Sequence, residues 1–539
     1  MKAMMLALGA TGAILLACSA FETELNSVKA VIYTLRFICF PLIFLAIGWW
    51  VSRQTDLGAI FSRKSLVIVS AILAVTLVGL KLLRFHTLNY DLFDLGLYFH
   101  QIWRINDQHT LADKLNFALS GHYHPSLLFY SAVVEHLGFS SLLVLQTLTI
   151  QLSAIPIFLL SRQSRHGTSL SAAIAVAFIM IPALHFCDIL GFHPDHLIVP
   201  AICWMFFAIR TSRVWLFYLA LFAGISAGEQ WMPSLAVICG YAALTKGTRI
   251  HGLSGAAVVL AIFVWYMFTY KLELFGPELR SNDQSLDYFL PIGQNYGDHL
   301  AALITPRKVF FFGFMFAPLI PLIGTEWRKI LLIGPETIKF MLSSEPLHYA
   351  VEGHYTFAII AIVFCIAAEK SVDAKGPKGR FSSWKRWAYL LPFLYWGQAV
   401  GHGALPNSIN FVTHMSGGAF NAGLYVPNEA KTRLQNQLQA LDIHPDRSVH
   451  ITNEAFVPTI AGRMDFGHFD PTGSMPDYIV IGGNLTGGSG SSRGDGTYKA
   501  ALEKFMNTIP HDLGNPATIG SYIVIDTGRD LNPGTGEKE

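Results

Sequence analysis

The chain is poor in charge. Of its 539 residues only 14% are Asp, Glu, Lys or Arg, where a soluble domain carries about 25%. The 38 basic and 36 acidic residues leave a net charge of +2, too small to draw a nucleic acid, so no such partner is expected. The six cysteines are scattered in or beside apolar runs, with none after Cys365. From that spacing neither a disulfide framework nor a cysteine zinc site is expected. No internal repeat stands out, and Gly482–Gly496 lacks the Lys-Ser/Thr and the following helix that a phosphate-binding loop needs.

Apolar residues are abundant: 52% of the chain is hydrophobic, the mean hydropathy is +0.42, and the protein reads as an integral membrane protein. Met1–Ala20 has the outline of a signal peptide, but Leu16 fits a lipoprotein cleavage site badly and a second apolar run follows. It is read as an uncleaved first span. Further runs lie near 28–51, 66–83, 139–160, 168–184, 197–211, 214–228, 232–246, 251–270, 309–324, 329–343, 354–368 and 387–404. The expected architecture is an all-α polytopic protein of about thirteen transmembrane helices over residues 1–404. Arg53, Arg63, Lys64, Arg162, Arg165, Arg210, Arg213, Lys246, Arg249, Arg328, Lys329 and Lys370 to Arg386 all fall on one side, which the positive-inside rule makes the cytoplasm. An odd number of spans then leaves the C-terminus outside. Localisation in a bacterial inner membrane follows.

Beyond residue 405 the composition changes. Asn428–Leu441 and Tyr498–Asn507 read as helices; Ser448–Thr452, Asp477–Gly482 and Ser521–Asp526 read as strands. Residues 405–530 are therefore expected to form a small exoplasmic α/β domain, with 531–539 a disordered tail.

Polar clusters crowd the outer side. Leu88–Trp103 brings Asp91 and Asp94 to the bilayer surface among Tyr90, Phe93, Tyr98, Phe99 and Trp103, and from Asp94 onward its apolar side chains recur at helical spacing. His122 and His124 precede one apolar run; His193, Asp195 and His196 open another, just after His185 and Asp188. Glu229 sits at a helix–helix turn, and His348, Tyr349, His354 and Tyr355 precede a late span. All histidines but His166 and His251 fall outside on this topology. Each cluster also has a plain explanation: an aromatic interfacial belt, a helix cap at Asp195, or a solvated turn at Glu229. Their convergence on one face points instead to a substrate cavity, with carboxylates as bases or metal ligands and His and Tyr holding a phosphate. His193, Asp195 and His196 are candidate ligands of a divalent metal ion.

These motifs resemble a family of bacterial multi-span membrane proteins of unknown function, similar to the GT-C superfamily of integral-membrane glycosyltransferases. The resemblance rests on Asp94-Leu95-Gly96 with Tyr98 and Trp103, His122 to Pro125, Leu145-Gln146 with the run ending at Arg162, Phe192 to Asp195, Glu229, and a His-Tyr pair at His348-Tyr349 or His354-Tyr355, over about residues 85–370. It implies a GT-C-like helix bundle, a polyprenyl-phosphate sugar donor in contact with membrane lipid, and Asp94 as general base or metal ligand. Glu229 is the second catalytic candidate, and Arg104, His122, His124, His348, Tyr349 and His354 are candidate substrate contacts. Two positions depart from the pattern: Phe99 stands where a second acid is frequent, and Gly228 where a lysine precedes the glutamate. They favour a non-enzymatic subunit of a larger complex; buried polar groups keep a transporter or flippase open as well.

Overall fold

The structure is a computed structural model that describes residues 39–90, 95–120, 122–164, 166–270, 308–309, 311–313, 317–323, 329, 331–343, 354–369, 381–402, 425–440, 448–452, 466–468, 476–482, 504, 517–519 and 522–526. Asp91, Asp94, His348, Tyr349, the first predicted span and the Tyr498–Asn507 helix, save residue 504, lie outside the described residues.

Helices dominate. Among the described residues three are long and apolar enough to cross a membrane: Arg63–His86, Ser140–Gln163 and Arg249–Phe268. A fourth candidate is the pair Thr168–Ile179 and Pro182–Ile189, bent by 44° where Pro182 begins the second half. Other predicted runs contain shorter helices, among them Ile198–Thr211, Val214–Ile225, Met232–Leu244 and Phe357–Glu369, while Phe381–His402 runs for 22 residues with Pro392 inside it.

Arg63–His86 shows how sequence sets orientation. Ser62 and Ser65 close a reciprocal cap at its start, and Arg84 and His86 meet the negative end of its dipole. Leu66, Leu73, Leu77, Lys81 and Arg84 share its buried face, while Val67, Ile68, Ile72 and Val75 are exposed. The outward face suits lipid; the inward face carries a lysine. Arg249–Trp265 packs closely on Met232–Leu244 because Gly252 has no side chain, and a Cβ there would collide with the Ala243 backbone.

The core is continuous through these helices, and Thr168–Ile179 and Phe357–Glu369 lie almost wholly within it. A second cluster joins Leu95, Ile102 and Ile105 to Leu127, Tyr130, Leu142, Leu143 and Phe192. The expected interfacial helix is thus Leu97–Asp107, with Ile102 and Ile105 buried against protein.

Toward the C-terminus the helix Glu429–Ala440 is followed, among the described residues, by five strands of one sheet. These are β1 (Val449–Ile451), β2 (Phe466–His468), β3 (Tyr478–Gly482), β4 (Ala517–Ile519) and β5 (Tyr522–Asp526). β1 runs parallel to β2 and β3, and β5 antiparallel to β3 and β4. Asp477 fastens the start of β3 to β1: its Oδ2 accepts from Ser448 N–H and Oγ–H at 2.7 and 2.8 Å.

Candidate functional site around His122 and Glu229

The helix Leu111–Leu119 ends one turn before Pro125 opens Ser126–Leu137. Between them His122 N–H donates to Ser120 O, and His124 N–H to Ala118 O, each at 3.1 Å. This tight turn brings His122 and the Tyr123 backbone to one carboxylate. Glu229 Oε1 lies 2.8 Å from His122 Nδ1, and its Oε2 accepts from Tyr123 N–H at 2.8 Å. The Glu229 side chain is 5% exposed and that of His122 60%. A buried acid therefore orients an accessible imidazole. A carboxylate at Nδ1 fixes the ring proton there and makes Nε2 the basic nitrogen of the neutral ring.

Glu229 begins a short 3-10 turn, Glu229–Trp231, entered through Gly228. Gly228 has φ 149°, a conformation side chains rarely adopt. A Cβ there would stand 3.1 Å from both Asp195 Oδ1 and His124 Cε1. The glycine lets Asp195 come close: Asp195 Oδ1 accepts from Gln230 Nε2 at 2.8 Å and from Trp231 Nε1 at 2.7 Å. Lys339 Nζ lies 4.1 Å from the centre of the Trp231 ring and 2.7 Å from Glu336, and Ser234 donates to that glutamate.

His124 is buried, with Nε2 3.3 Å from Tyr98 OH. Burial pushes its pKa below the usual histidine value, against the opposing pull of the Asp195 carboxylate. Arg104 lies over the Phe117 ring at 4.7 Å, and Phe117 O and Ser120 O accept from Gln101. His354 starts a one-turn 3-10 helix; its side chain lies outside the described residues.

His122, His124, Asp195 and Glu229 thus come together from three separate parts of the chain. The expected metal ligands Asp195 and His196 also make contacts within the protein. His196 is held by His193 O at 2.6 Å and stands 3.2 Å from Tyr130 OH, while Asp195 Oδ1 is occupied by two N–H donors. Among the described residues no three His, Cys, Asp or Glu side chains form a group that could hold a metal ion.

Sequence reasoning passed over Lys81. Its Nζ donates to Asp188 Oδ1 at 2.6 Å, with both side chains fully buried. Thr147 Oγ1 donates to Asp188 Oδ2 at 2.7 Å, and Gln146 Nε2 reaches Asp188 Oδ1 at 3.2 Å. The signal was present: a lysine within an apolar run of membrane length, in register with Leu73 and Leu77 on the buried face.

Long apolar helices with ionic and histidine-rich contacts sealed among them define a helical integral membrane protein. More particularly, the chain belongs to a family described as "Predicted membrane protein (DUF2079)", whose model matches residues 84–469. No curated protein matches the chain.

Proposed function

We propose that the protein is an integral-membrane glycosyltransferase-like enzyme, taking a polyprenyl-phosphate-linked sugar at the exoplasmic face and passing it to an acceptor hydroxyl. One observation carries this reading: buried Glu229 orients the accessible His122 imidazole beside a second buried acid, Asp195. Glycosyl transfer needs a base for the acceptor proton and donors for the phosphate left behind. The acceptor oxygen gives its proton to the base and bonds to the anomeric carbon as the bond from that carbon to the phosphate oxygen breaks; the lipid phosphate leaves as the anion. Asp94 keeps the role of base that the Asp-Leu-Gly resemblance assigns, and His122, oriented by Glu229, is the second proton-handling group. Arg104, His124, His348, Tyr349 and His354 are the proposed contacts to the donor.

Sidedness has its own support. Asn428 N–H donates to Thr87 O at 3.2 Å and Lys431 Nζ to Tyr90 O at 2.8 Å. Residues 428–431 therefore meet the chain at the His86 end of its span, away from Arg63 and Lys64, the end that positive charge assigns to the cytoplasm. Residues 405–530 are accordingly read as an exoplasmic domain.

The test is transfer from radiolabelled polyprenyl-phosphate sugars in membranes at matched expression. Glu229→Gln and Asp94→Asn should each lower transfer by about 10²–10⁴-fold, the usual worth of a positioned acid–base group, and Asp91→Asn far less. Full transfer by Glu229→Gln removes the His122 pair from the mechanism. No transfer by the unmutated protein moves the assignment to a non-enzymatic subunit of a larger complex. The ion pair of Lys81 and Asp188 inside the membrane favours a second reading, a transporter or flippase; uptake or flipping of the same labelled lipid without transfer would support it.

A further inference from the structure

The helix Pro182–Leu190 stops at Gly191, and three carbonyls at its end need donors. They find them on other parts of the chain. Gln146 Nε2 donates to Gly191 O at 2.8 Å and reaches Asp188 O at 3.3 Å. Ile189 O accepts from Arg84 Nη1 at 3.3 Å and Tyr90 OH at 3.2 Å. The other end of the same Gln146 amide is used as well: its Oε1 accepts from His193 N–H at 2.8 Å. One buried side chain thus bridges the break, holding carbonyls before it and an N–H after it. Beneath it, Lys81, Thr147 and Gln146 converge on the Asp188 carboxylate.

We propose that Gln146, braced by the Lys81–Asp188 pair, is the positioning residue of the Asp195 half of the site. The proposal rests on the functional reading above only for the claim that this site is the active one. Pro194 follows His193 directly and fixes its own φ, so the placement of His193 N–H carries forward to Asp195. Asp195 in turn accepts the Gln230 and Trp231 donors, which belong to the same short turn as Glu229. The side chain of Gln146 therefore sets, through one turn of chain, where the Trp231 indole and the Glu229 turn come to rest. A glutamine suits this task because one planar amide supplies a donor and an acceptor at fixed separation.

The experiment reads the Trp231 indole directly. The protein is labelled with 5-fluorotryptophan in detergent, and the ¹⁹F resonance lost in Trp231→Phe assigns that position among the eleven tryptophans. Asp195→Asn then gives the shift expected when the charged acceptor is lost. Gln146→Met should move the Trp231 resonance in that same direction while the protein still melts cooperatively. A glutamine that only stabilises the fold would lower the melting temperature and leave the resonance in place, and that result overturns the proposal. If Gln146→Met does not fold, the isosteric Thr147→Val loosens the same carboxylate and should shift the resonance by less; no shift there overturns it equally. A resonance that moves while transfer fails even in the unmutated protein refutes the functional reading and leaves the positioning intact. Intact transfer with an unmoved resonance does the reverse.

Discussion

Replacing Lys81 by methionine is the sharpest thermodynamic test of the buried ion pair. Methionine keeps most of the side-chain volume and removes the ammonium that lies 2.6 Å from Asp188 Oδ1, where both side chains are fully buried. Breaking such a pair from one side costs about 3–5 kcal/mol, because the remaining charge has lost its partner without regaining water. Asp188 would still accept from Thr147 Oγ1 at 2.7 Å and from Gln146 Nε2 at 3.2 Å, which puts Lys81→Met at the lower end, about 3 kcal/mol. Asp188→Leu is worse, since among the described residues Lys81 keeps only the Thr147 hydroxyl at 3.2 Å; about 5 kcal/mol is expected. The double variant Lys81→Met with Asp188→Leu leaves no orphan. Thr147 still has Leu143 O and Gln146 still has Gly191 O, so the double should lie within about 1 kcal/mol of the parent or above it. The assay is reversible unfolding by SDS titration in mixed micelles, arranged as a double-mutant cycle. If Lys81→Met costs less than about 1 kcal/mol, the value of an exposed pair, the carboxylate is reached by water and the locked interior is wrong. A double variant no more stable than the worse single would refute it equally.

Acid should destabilise the protein in a defined window. Burial holds the His196 pKa down to about 4, so the fold favours the neutral ring. Its stability is complete above about 6.5, the unfolded value, and is lost as pH falls toward the folded one, by roughly 3 kcal/mol. Burial of His124 acts in the same direction. Melting temperature measured from pH 7.5 to 4.5 should fall below pH 6.5, and His196→Gln should flatten that fall. Gly228→Ala should cost about 1–3 kcal/mol, because φ is 149° and the new Cβ meets Asp195 and His124; an unchanged melting temperature would mean that the turn relaxes freely. Lys431→Met removes a buried ammonium from Tyr90 O and should speed hydrogen exchange at the Asn428 amide, which donates to Thr87 O; unchanged exchange there would show that Lys431 does not hold the two segments together.

Much of the fold was legible because its signals are local and repeated. An apolar run of membrane length announces itself, and 66–83, 139–160 and 251–270 fall on the three helices that, among the described residues, are long and apolar enough to cross a membrane. The β-branched runs at Asp477–Gly482 and Ser521–Asp526 became β3 and β5, and Asn428–Leu441 became Glu429–Ala440. The three-residue strands β2 and β4 were missed because Phe466–His468 and Ala517–Ile519 are too short to show a period. Lys81 was missed for another reason. Its partner lies 107 residues away, and a lysine near the end of a span also fits a side chain snorkelling to the surface. Only the register with Leu73 and Leu77 distinguishes the two, and that register has meaning once the lipid-facing side of the helix is known.

The two departures from the motif pattern have separate physical causes. At Phe99 the position is taken by packing: its ring stacks on Phe139 with centroids 3.7 Å apart and planes inclined by 17°. An acid there would lose that contact and face the cluster of Leu142, Leu143 and Ile102, an expensive place for a charge. At Gly228 the position is taken by the backbone, whose φ of 149° leaves a Cβ only 3.1 Å from Asp195 Oδ1. A lysine could not enter without moving the Glu229 turn, and with it the carboxylate that grips His122. The two absences therefore do not amount to a site from which charge has simply been deleted. One substitution fills a hydrophobic wall, and the other lets Asp195 approach the indole N–H of Trp231. Beyond that turn Glu229 pairs with His122, where the carboxylate is shielded and the imidazole is open.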